Sequence, residues 1–307
     1  SGTQTYAGAV TLSGGDRTLT GSTVNTQSTL AGGSNALTIT GTADIDGAFT
    51  GLTTLSVSGT SNIGANVTTS GTQTYAGAVT LSGGNRTLTA TTVNTQSTLA
   101  GGNNALTITG AADIDGAYTG LTTLSVSGVS NIGANVTTSG TQTYAGAVTL
   151  SGGDRVLTGS TINTQSTLAG GNNALTITGA ADIDGAFTGL TSLSVSGTSN
   201  IGANVTTTGT QTYTGAVTLS GGDRTLTGST VNTQSTLAGG NNALTITGAA
   251  DIDGAYTGLT TLSVSGTSNI GANVTTSGAQ TYAGAVTLSG GDRTLTGSTI
   301  NTQSTLA

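Results

Sequence analysis

The fold is decided by the stretch Leu37-Thr38-Ile39-Thr40-Gly41, which returns as Leu55-Ser56-Val57-Ser58-Gly59. Apolar and hydroxyl side chains alternate strictly in both copies. This period of two predicts short strands with one face buried and the other in water. No stretch of the chain shows the helical apolar stripe of an amphipathic helix, so the sequence predicts an all-β fold.

The match extends over residues 36–45 and 54–63, at an offset of 18 in the numbering, and residues 11–20 match residues 29–38 at the same offset. Strands this short and this regular predict a parallel β-helix, or β-solenoid, in which each coil hydrogen-bonds to the next. Leu19, Leu37 and Leu55 are predicted to form one interior ladder. Further interior ladders are predicted for Leu12 with Leu30 and for Ile45 with Ile63, and an outward hydroxyl ladder for Thr20, Thr38 and Ser56.

A longer period organises the whole chain of 307 residues. The motif that begins at Ser1 returns at Ser70, Ser139, Thr208 and Ser277, always at the same interval in the numbering. We therefore predict one continuous solenoid over 1–307, with 69-residue repeats at 1–69, 70–138, 139–207 and 208–276 and a partial repeat at 277–307. Such arrays need capping ends, and none is recognisable, so we expect a segment of a longer array.

Each repeat divides into three coils of about 18 and one of about 15 if the 18-residue matches mark successive coils. At about 4.8 Å per coil, a repeat would be roughly 19 Å long. Three larger coils per repeat, starting at Val10, Leu37 and Leu55, are an alternative. That alternative leaves the first 18-residue match unexplained.

Composition excludes several classes of chemistry. The chain has no Cys, His, Met, Trp or Pro, all of its acids are Asp and all of its bases are Arg. Thiolate and histidine metal sites, Ser-His-Asp or Cys-His catalysis, lysine Schiff bases and disulfides are therefore excluded. We expect the protein not to be an enzyme and to need no cofactor.

Charge and hydropathy limit the classes of partner that the chain is expected to bind. The net charge is -7 with only five Arg, which disfavours nucleic acid and anionic lipid. No apolar run is long enough to span a bilayer, and no basic segment followed by an apolar one opens the chain, so the sequence predicts neither membrane insertion nor a signal peptide.

The segments Thr3-Gln4-Thr5-Tyr6-Ala7-Gly8-Ala9-Val10-Thr11-Leu12 and Ala36-Leu37-Thr38-Ile39-Thr40-Gly41 resemble the stalk repeats of filamentous-haemagglutinin-like and autotransporter adhesins. The resemblance covers the whole chain and rests on the style of the repeat. It implies a right-handed parallel β-helix exported to a bacterial surface. The secretion domain and binding tip of that family have no counterpart in this sequence.

Paired carboxylates recur once per repeat and are the candidate metal ligands. In a strand, Asp44 and Asp46 would point to the same side about 6.5 to 7 Å apart, with Asn62 stacked on Asp44 and Gly64 on Asp46. Calcium prefers six to eight oxygen ligands, so the alternatives are a calcium site and a solvated acidic face. A glycosidase-like pair would need one irregular cleft rather than a regular repeat. The candidate residues are Asp44, Asp46, Asp113, Asp115, Asp182, Asp184, Asp251 and Asp253.

Three further motifs have a structural and a functional interpretation. Gly14-Gly15-Asp16-Arg17 is either a turn between coils or an incomplete calcium nonapeptide, and Asn85 in the second repeat favours the turn. The tyrosines equivalent to Tyr6 either pack at corners or form a sparse sugar-binding row. The Thr-x-Thr pairs such as Thr38-Ile39-Thr40 could order water on an ice-binding face, although Thr18 aligns with Ala36 in this register.

The sequence as a whole predicts a structural extracellular protein. We expect a stiff rod that serves as an adhesin stalk or assembles laterally or end-to-end into a surface fibre or sheath. The expected partners are further copies of the chain, by end-to-end or lateral association, and a host or neighbouring-cell surface through a tip. An ice-binding solenoid and a calcium-dependent adhesin repeat are the alternative functions.

Overall fold

The computed structural model describes residues 2–307, and all regular elements in this range are β-strands. No described residue belongs to a helix that is long and apolar enough to cross a membrane. The chain divides into two compact units, Ser1–Gly152 and Gly153–Ala307.

Sixteen strands lie in each unit. The first unit contains β1 (Gln4–Tyr6), β2 (Val10–Thr11), β3 (Arg17–Thr26), β4 (Leu30–Ile45), β5 (Phe49–Val57), β6 (Ser61–Ile63), β7 (Val67–Thr69), β8 (Gln73–Tyr75), β9 (Val79–Leu81), β10 (Arg86–Thr95), β11 (Leu99–Ile114), β12 (Tyr118–Val126), β13 (Ser130–Ile132), β14 (Val136–Thr138), β15 (Gln142–Tyr144) and β16 (Val148–Leu150). The second contains β17 (Arg155–Thr164), β18 (Leu168–Ile183), β19 (Phe187–Val195), β20 (Ser199–Ile201), β21 (Val205–Thr207), β22 (Gln211–Tyr213), β23 (Val217–Leu219), β24 (Arg224–Thr233), β25 (Leu237–Ile252), β26 (Tyr256–Val264), β27 (Ser268–Ile270), β28 (Val274–Thr276), β29 (Ala279–Tyr282), β30 (Val286–Leu288), β31 (Leu295–Thr296) and β32 (Thr299–Thr302).

Each unit is a parallel β-solenoid, which confirms the predicted fold class. In the first unit the coil has three sides. Between Val24 and its partner Ala43 on the next coil, the chain passes through two other stacked positions, Leu30 and Leu37. Val24 pairs in parallel with Ala43, while Leu30 pairs with Phe49 and Leu37 with Leu55. We call these the first side (at 24–26 and 43–45), the second side (at 30–31 and 49–50) and the third side (at 37–39 and 55–57).

The coil length is not constant. Ile45 and Ile63 are paired at a sequence distance of 18, whereas Val10 and Leu30 are 20 apart. The longest step runs from Val67 to Leu88, a sequence distance of 21. The prediction of a fourth coil of about 15 residues was therefore wrong, since turns and bulges set the coil length at each position and the paired residues lie 17 to 21 apart.

Part of the predicted stacking is correct and part is wrong. Leu37 stacks on Leu55, Ile45 on Ile63 and Thr38 on Ser56, as predicted. The first 18-residue match, however, does not mark stacked residues, because the coil between its two copies is longer than the offset of the match. Leu19 accordingly pairs with Ile39, Thr18 with Thr38, Thr20 with Thr40, and Val10 rather than Leu12 with Leu30.

A repeat does not contain a whole number of coils. Tyr6 pairs with Thr26 on the first side, whereas its equivalent Tyr75 pairs with Val57 on the third side. A second equivalent, Tyr144, pairs with Val126 and lies on the second side. The pairings that connect Val126 to the second side run through Ile108, Leu88, Val67, Phe49 and Leu30. The first repeat contributes eleven side positions, at 4, 10, 19, 24, 30, 37, 43, 49, 55, 61 and 67. Three sides per coil then give 3⅔ coils per repeat, in place of the four or three that the sequence suggested.

The interior is apolar and closely filled. Leu37, Ile39, Ile45 and Val57 are at most 1% exposed, and Phe49 is fully buried. Burial of such a side chain stabilises the fold by about 1.5 to 3 kcal/mol. The apolar positions of the alternating strands therefore face inward, as their period predicts.

Glycines line one corner, where successive coils come closest. A Cβ atom added to Gly59 would lie 2.6 Å from the carbonyl carbon and oxygen of Gly41, and one added to Gly77 would lie 2.4 Å from Gly59. Gly41 also has a φ of 122°, which side-chain-bearing residues rarely adopt. Glycine at these positions allows the coils to pair at this corner.

Candidate functional site

The acidic pairs are positioned by the ends of the first side. Asp44 lies in β4, and Asp46 follows immediately after that strand ends at Ile45. Asp44 is half-buried, while Asp46 is exposed at the corner. The sequence suggested that both carboxylates lie in one strand. In the structure only Asp44 does, and the two carboxylates occupy different environments.

Asp44 lies in a ladder between two asparagines. The Asn25 side chain donates a hydrogen bond of 2.7 Å from Nδ2 to Asp44 Oδ2, and Asn62 Nδ2 donates one of 2.8 Å to Asp44 Oδ1. The position of Asn62 was predicted. That of Asn25 was missed, because its sequence distance from Asp44 is 19 rather than 18.

The same ladder is present in all four repeats. Each carboxylate accepts one amide hydrogen bond at each oxygen, with distances of 2.7–3.0 Å. Hydrogen bonds to a charged group are worth more than neutral ones. The other ladders are Asn94–Asp113–Asn131, Asn163–Asp182–Asn200 and Asn232–Asp251–Asn269.

Asp46 lies beside a position without a side chain. A Cβ atom on Gly64 would be 3.0 Å from Asp46 Oδ1 and 3.3 Å from Ser82 Oγ, which confirms that Gly64 stacks next to Asp46. In the equivalent residue Asp115, burial raises the carboxyl pKa, and the charge of Asp113 raises that pKa further. The same two causes raise the pKa of Asp184 and Asp253.

These contacts define what the acidic pairs can do. No cluster of three or more His, Cys, Asp or Glu side chains occurs within residues 2–307. Both oxygens of Asp44 already accept amide protons, so Asp46 and its equivalents are the carboxylates with oxygen atoms directed to solvent. Calcium binding by the eight aspartates stays a prediction.

The Gly-Gly-Asp-Arg segment forms the turn that the sequence predicted. Gly14 and Gly15 have φ angles of 72° and 113°. Asp16 Oδ1 accepts a 2.8 Å hydrogen bond from the backbone N–H of Ala36 on the next coil. Asn85 makes the equivalent bond of 2.9 Å to Ala105, so the position needs an oxygen acceptor and not a charge.

The arginine that follows this turn binds backbone rather than carboxylate. Arg86 Nε donates to Ser82 O at 2.9 Å, and Arg224 makes the equivalent bond to Ser220 O at 2.8 Å. Each guanidinium thus folds back over its own Gly-Gly turn.

The tyrosines of the Gln-Thr-Tyr motif are part of the interior, so a sugar-binding row on the surface was a wrong interpretation. Tyr75, Tyr144, Tyr213 and Tyr282 are fully buried. Burial raises the hydroxyl pKa of each well above its ordinary value. The Tyr75 hydroxyl donates to Gln73 Oε1 at 3.0 Å.

Gln73 connects this tyrosine to the longest coil. Its Nε2 donates to Val67 O at 3.1 Å and to Thr89 O at 2.9 Å. These two carbonyls lie at the two ends of the longest step, where Val67 pairs with Leu88. Gln73 is fully buried and every polar atom of its side chain is paired, so it acts as an internal brace.

Outward hydroxyls stack better than the sequence suggested. Thr18, Thr38, Ser56 and Thr74 form one column on four successive coils. The column then continues as Asn94 and Asp113. The hydroxyl run on this side is therefore four coils long and ends at the Asn–Asp–Asn ladder of the next repeat.

A shallow depression of about 210 Å³ lies near the corner after Leu52. This volume is below the range of about 300–1,000 Å³ that is typical of small-molecule sites. It is lined by Ser34, Gly51, Leu52, Thr68, Thr69 and Ser70.

A scan against protein-family models and searches of curated proteins and of solved structures found no match to this chain. The β-solenoid fold therefore rests on the strand pairing itself.

Proposed function

We propose that this chain is a structural segment of an extracellular protein, which acts as a stiff stalk or assembles into a surface fibre or sheath. The carrying observation is the coil-to-coil pairing of all three sides within each unit. Every coil adds buried apolar side chains and a set of backbone hydrogen bonds to its neighbour. Stability then grows with the number of coils, as in other repeat architectures.

The interior polar groups support this proposal, because they oppose bending at the longest coil. Gln211 Nε2 donates to Val205 O at 3.2 Å and to Thr227 O at 2.7 Å, and Tyr213 completes the network. A buried network of this kind rigidifies the segment in which it lies.

The resemblance to adhesin stalks and the surface chemistry support an extracellular location. The outward positions carry Ser, Thr and Asn, and the chain has no cysteine that could be oxidised. Antibodies against the repeat should label intact cells of the source organism. Labelling that requires permeabilised cells would contradict this location.

The stalk proposal can be tested with chains that carry one, two or three extra copies of residues 70–138. At about 4.8 Å per coil, each copy should add about 17–18 Å to the maximum dimension in small-angle scattering. A dimension that grows with roughly the cube root of chain length would contradict a stalk. Circular dichroism on each chain controls for folding.

Sedimentation velocity distinguishes the two versions of the proposal. Monomers at micromolar concentration, with the expected elongation, would support the stalk. Filaments or sheets in electron micrographs of the same sample would support the fibre or sheath.

Ice binding is the second candidate, because the observed register stacks Thr18, Thr38, Ser56 and Thr74 in one column. Thermal hysteresis at micromolar protein would support it, and Thr38→Lys should then reduce the hysteresis. The four-coil length of the column makes the structural role the better supported of the two.

A further inference from the structure

In the first unit, the strand register places equivalent residues of successive repeats on different sides of the coil. The three copies of Gln-Thr-Tyr, ending at Tyr6, Tyr75 and Tyr144, lie on the first, third and second sides of the coil. Equivalent residues of neighbouring repeats therefore face different directions. This follows from the pairings alone, because eleven side positions per repeat cannot be divided evenly among three sides.

Outward residues obey the same rule. Asp44 belongs to the column Asn25–Asp44–Asn62–Thr80 on the first side. Its equivalent Asp113 follows Thr74 and Asn94 on the third side. In the second unit, Asp182 and Asp251 likewise lie on different columns, since Asp182 leads to Asn200 and Thr218, whereas Asp251 follows Thr212 and Asn232.

We propose that the 69-residue repeat is a rotary spacer: each added repeat lengthens the solenoid by 3⅔ coils and turns its surface motifs by two-thirds of a turn. Within the first unit, a motif that occurs once per repeat then faces a different direction in each successive copy. The inference rests on the registers and not on the stalk proposal.

The hydrogen bonds between neighbouring coils do not depend on which side of the coil a residue occupies, so the rotation leaves them unchanged. The partners of Asp44 lie at sequence distances of 19 and 18, and these distances are the same for Asp113. A change in repeat number therefore leaves every ladder intact and alters only the direction in which later repeats face.

Two spin-label pairs in the first unit test the rotation, and the absence of cysteine in the chain makes labelling specific. Thr50, Thr109 and Thr119 are all exposed. Thr50 and Thr119 are equivalents one repeat apart, whereas Thr109 belongs to the same column as Thr50 through Thr68 and Thr89. The variants are Thr50→Cys with Thr109→Cys, and Thr50→Cys with Thr119→Cys.

The 50/109 pair lies three coils apart on one side, about 14 Å, and should show strong dipolar broadening in continuous-wave spectra. The 50/119 pair faces two sides and should show no broadening, with a pulsed dipolar distance above the axial separation of about 18 Å, because the lateral offset between the two sides adds to it. Broadening of the 50/119 pair together with a longer distance for 50/109 would overturn the rotation. Matching circular dichroism of the singly labelled chains confirms folding, and neither outcome depends on whether the protein is a stalk.

Discussion

At the scale of single residues, the chain contains its own controls, because equivalent positions differ between repeats. Tyr256 donates to or accepts from Thr233 Oγ1 at 2.8 Å, yet the equivalent position in the third repeat is Phe187. Tyr213, in contrast, pairs with Gln211 Oε1, which has no other donor among the hydrogen bonds of the described chain. The two tyrosines are equally buried but are not equally replaceable.

Tyr213→Phe should therefore lower the free energy of unfolding by about 1–3 kcal/mol, because it leaves a buried amide oxygen unpaired. Tyr256→Phe should change it by less than about 1 kcal/mol, since Thr233 keeps its bond to Asp251 O. Urea denaturation of both variants measures the difference. Equal losses would show that Gln211 does not depend on this hydroxyl.

The Asn–Asp–Asn ladder makes a second prediction at this scale. Asp182→Ala removes the acceptor of Asn163 and Asn200, so it should cost about 1–3 kcal/mol. Asp182→Asn should cost less than about 1 kcal/mol, because a flipped Asn163 can offer its buried, unpaired Oδ1 to the new amide group. A loss for Asp182→Asn as large as for Asp182→Ala, in the same denaturation assay, would mean that the charge itself is required.

At the scale of one element, the glycine corner decides how closely coils approach. A Cβ on Gly197 would lie 2.5 Å from the carbonyl carbon and oxygen of Gly179. Gly228 is also crowded, but its equivalent in the second repeat is Ala90, which shows that this position accepts a methyl group.

Gly197→Ala should accordingly destabilise the fold by about 2–4 kcal/mol, since backbone atoms would have to move apart. Gly228→Ala serves as the matched control and should change stability by less than about 1 kcal/mol. Thermal unfolding followed by circular dichroism compares them. Similar melting temperatures for the two variants would contradict the close approach at this corner.

At the scale of the whole molecule, six tyrosines are fully buried, and burial raises the hydroxyl pKa of each. They hold their protons more tightly in the folded state than in the unfolded state, where the pKa is about 10. Their contribution to stability is therefore complete below about pH 10 and decreases as the pH rises above it. They are Tyr75, Tyr118, Tyr144, Tyr213, Tyr256 and Tyr282.

Alkaline titration should thus unfold the protein and ionise these tyrosines together. Each buried tyrosine removes up to about 1.4 kcal/mol of stability per pH unit above 10. Phenolate absorbance and circular dichroism should change at the same pH. Ionisation that precedes the loss of structure would mean that the hydroxyls are accessible to solvent in the fold.

Divalent cations provide a further whole-molecule test. Because the inner carboxylate of each pair is held by two asparagines, EDTA should leave the melting temperature unchanged within about 1 °C. A drop of more than about 3 °C that Ca²⁺ restores would favour the calcium-dependent alternative. Asp46→Asn with Asp115→Asn should then abolish the restoration in the first unit.

The sequence predicted the fold well because its signals are local. Alternation in residues such as Leu37, Thr38 and Ile39 fixes which side chains face inward, and this needs no knowledge of neighbours. The acidic ladder was only half predicted. Asn62 was found because its offset from Asp44 is 18, and Asn25 was missed because its offset is 19.

By itself, the sequence determined the all-β class, the 69-residue period and the inward or outward direction of the strand residues. Only the tertiary structure decided which residue stacks on which. These pairings in turn set the number of coils per repeat at 3⅔. The physical reason is that each corner takes as many residues as its turn or bulge requires, so the coil from Val67 to Leu88 is longer than the coil from Ile45 to Ile63. Similar segments align best at an offset of 18, but the coils stack at the distances that their corners set.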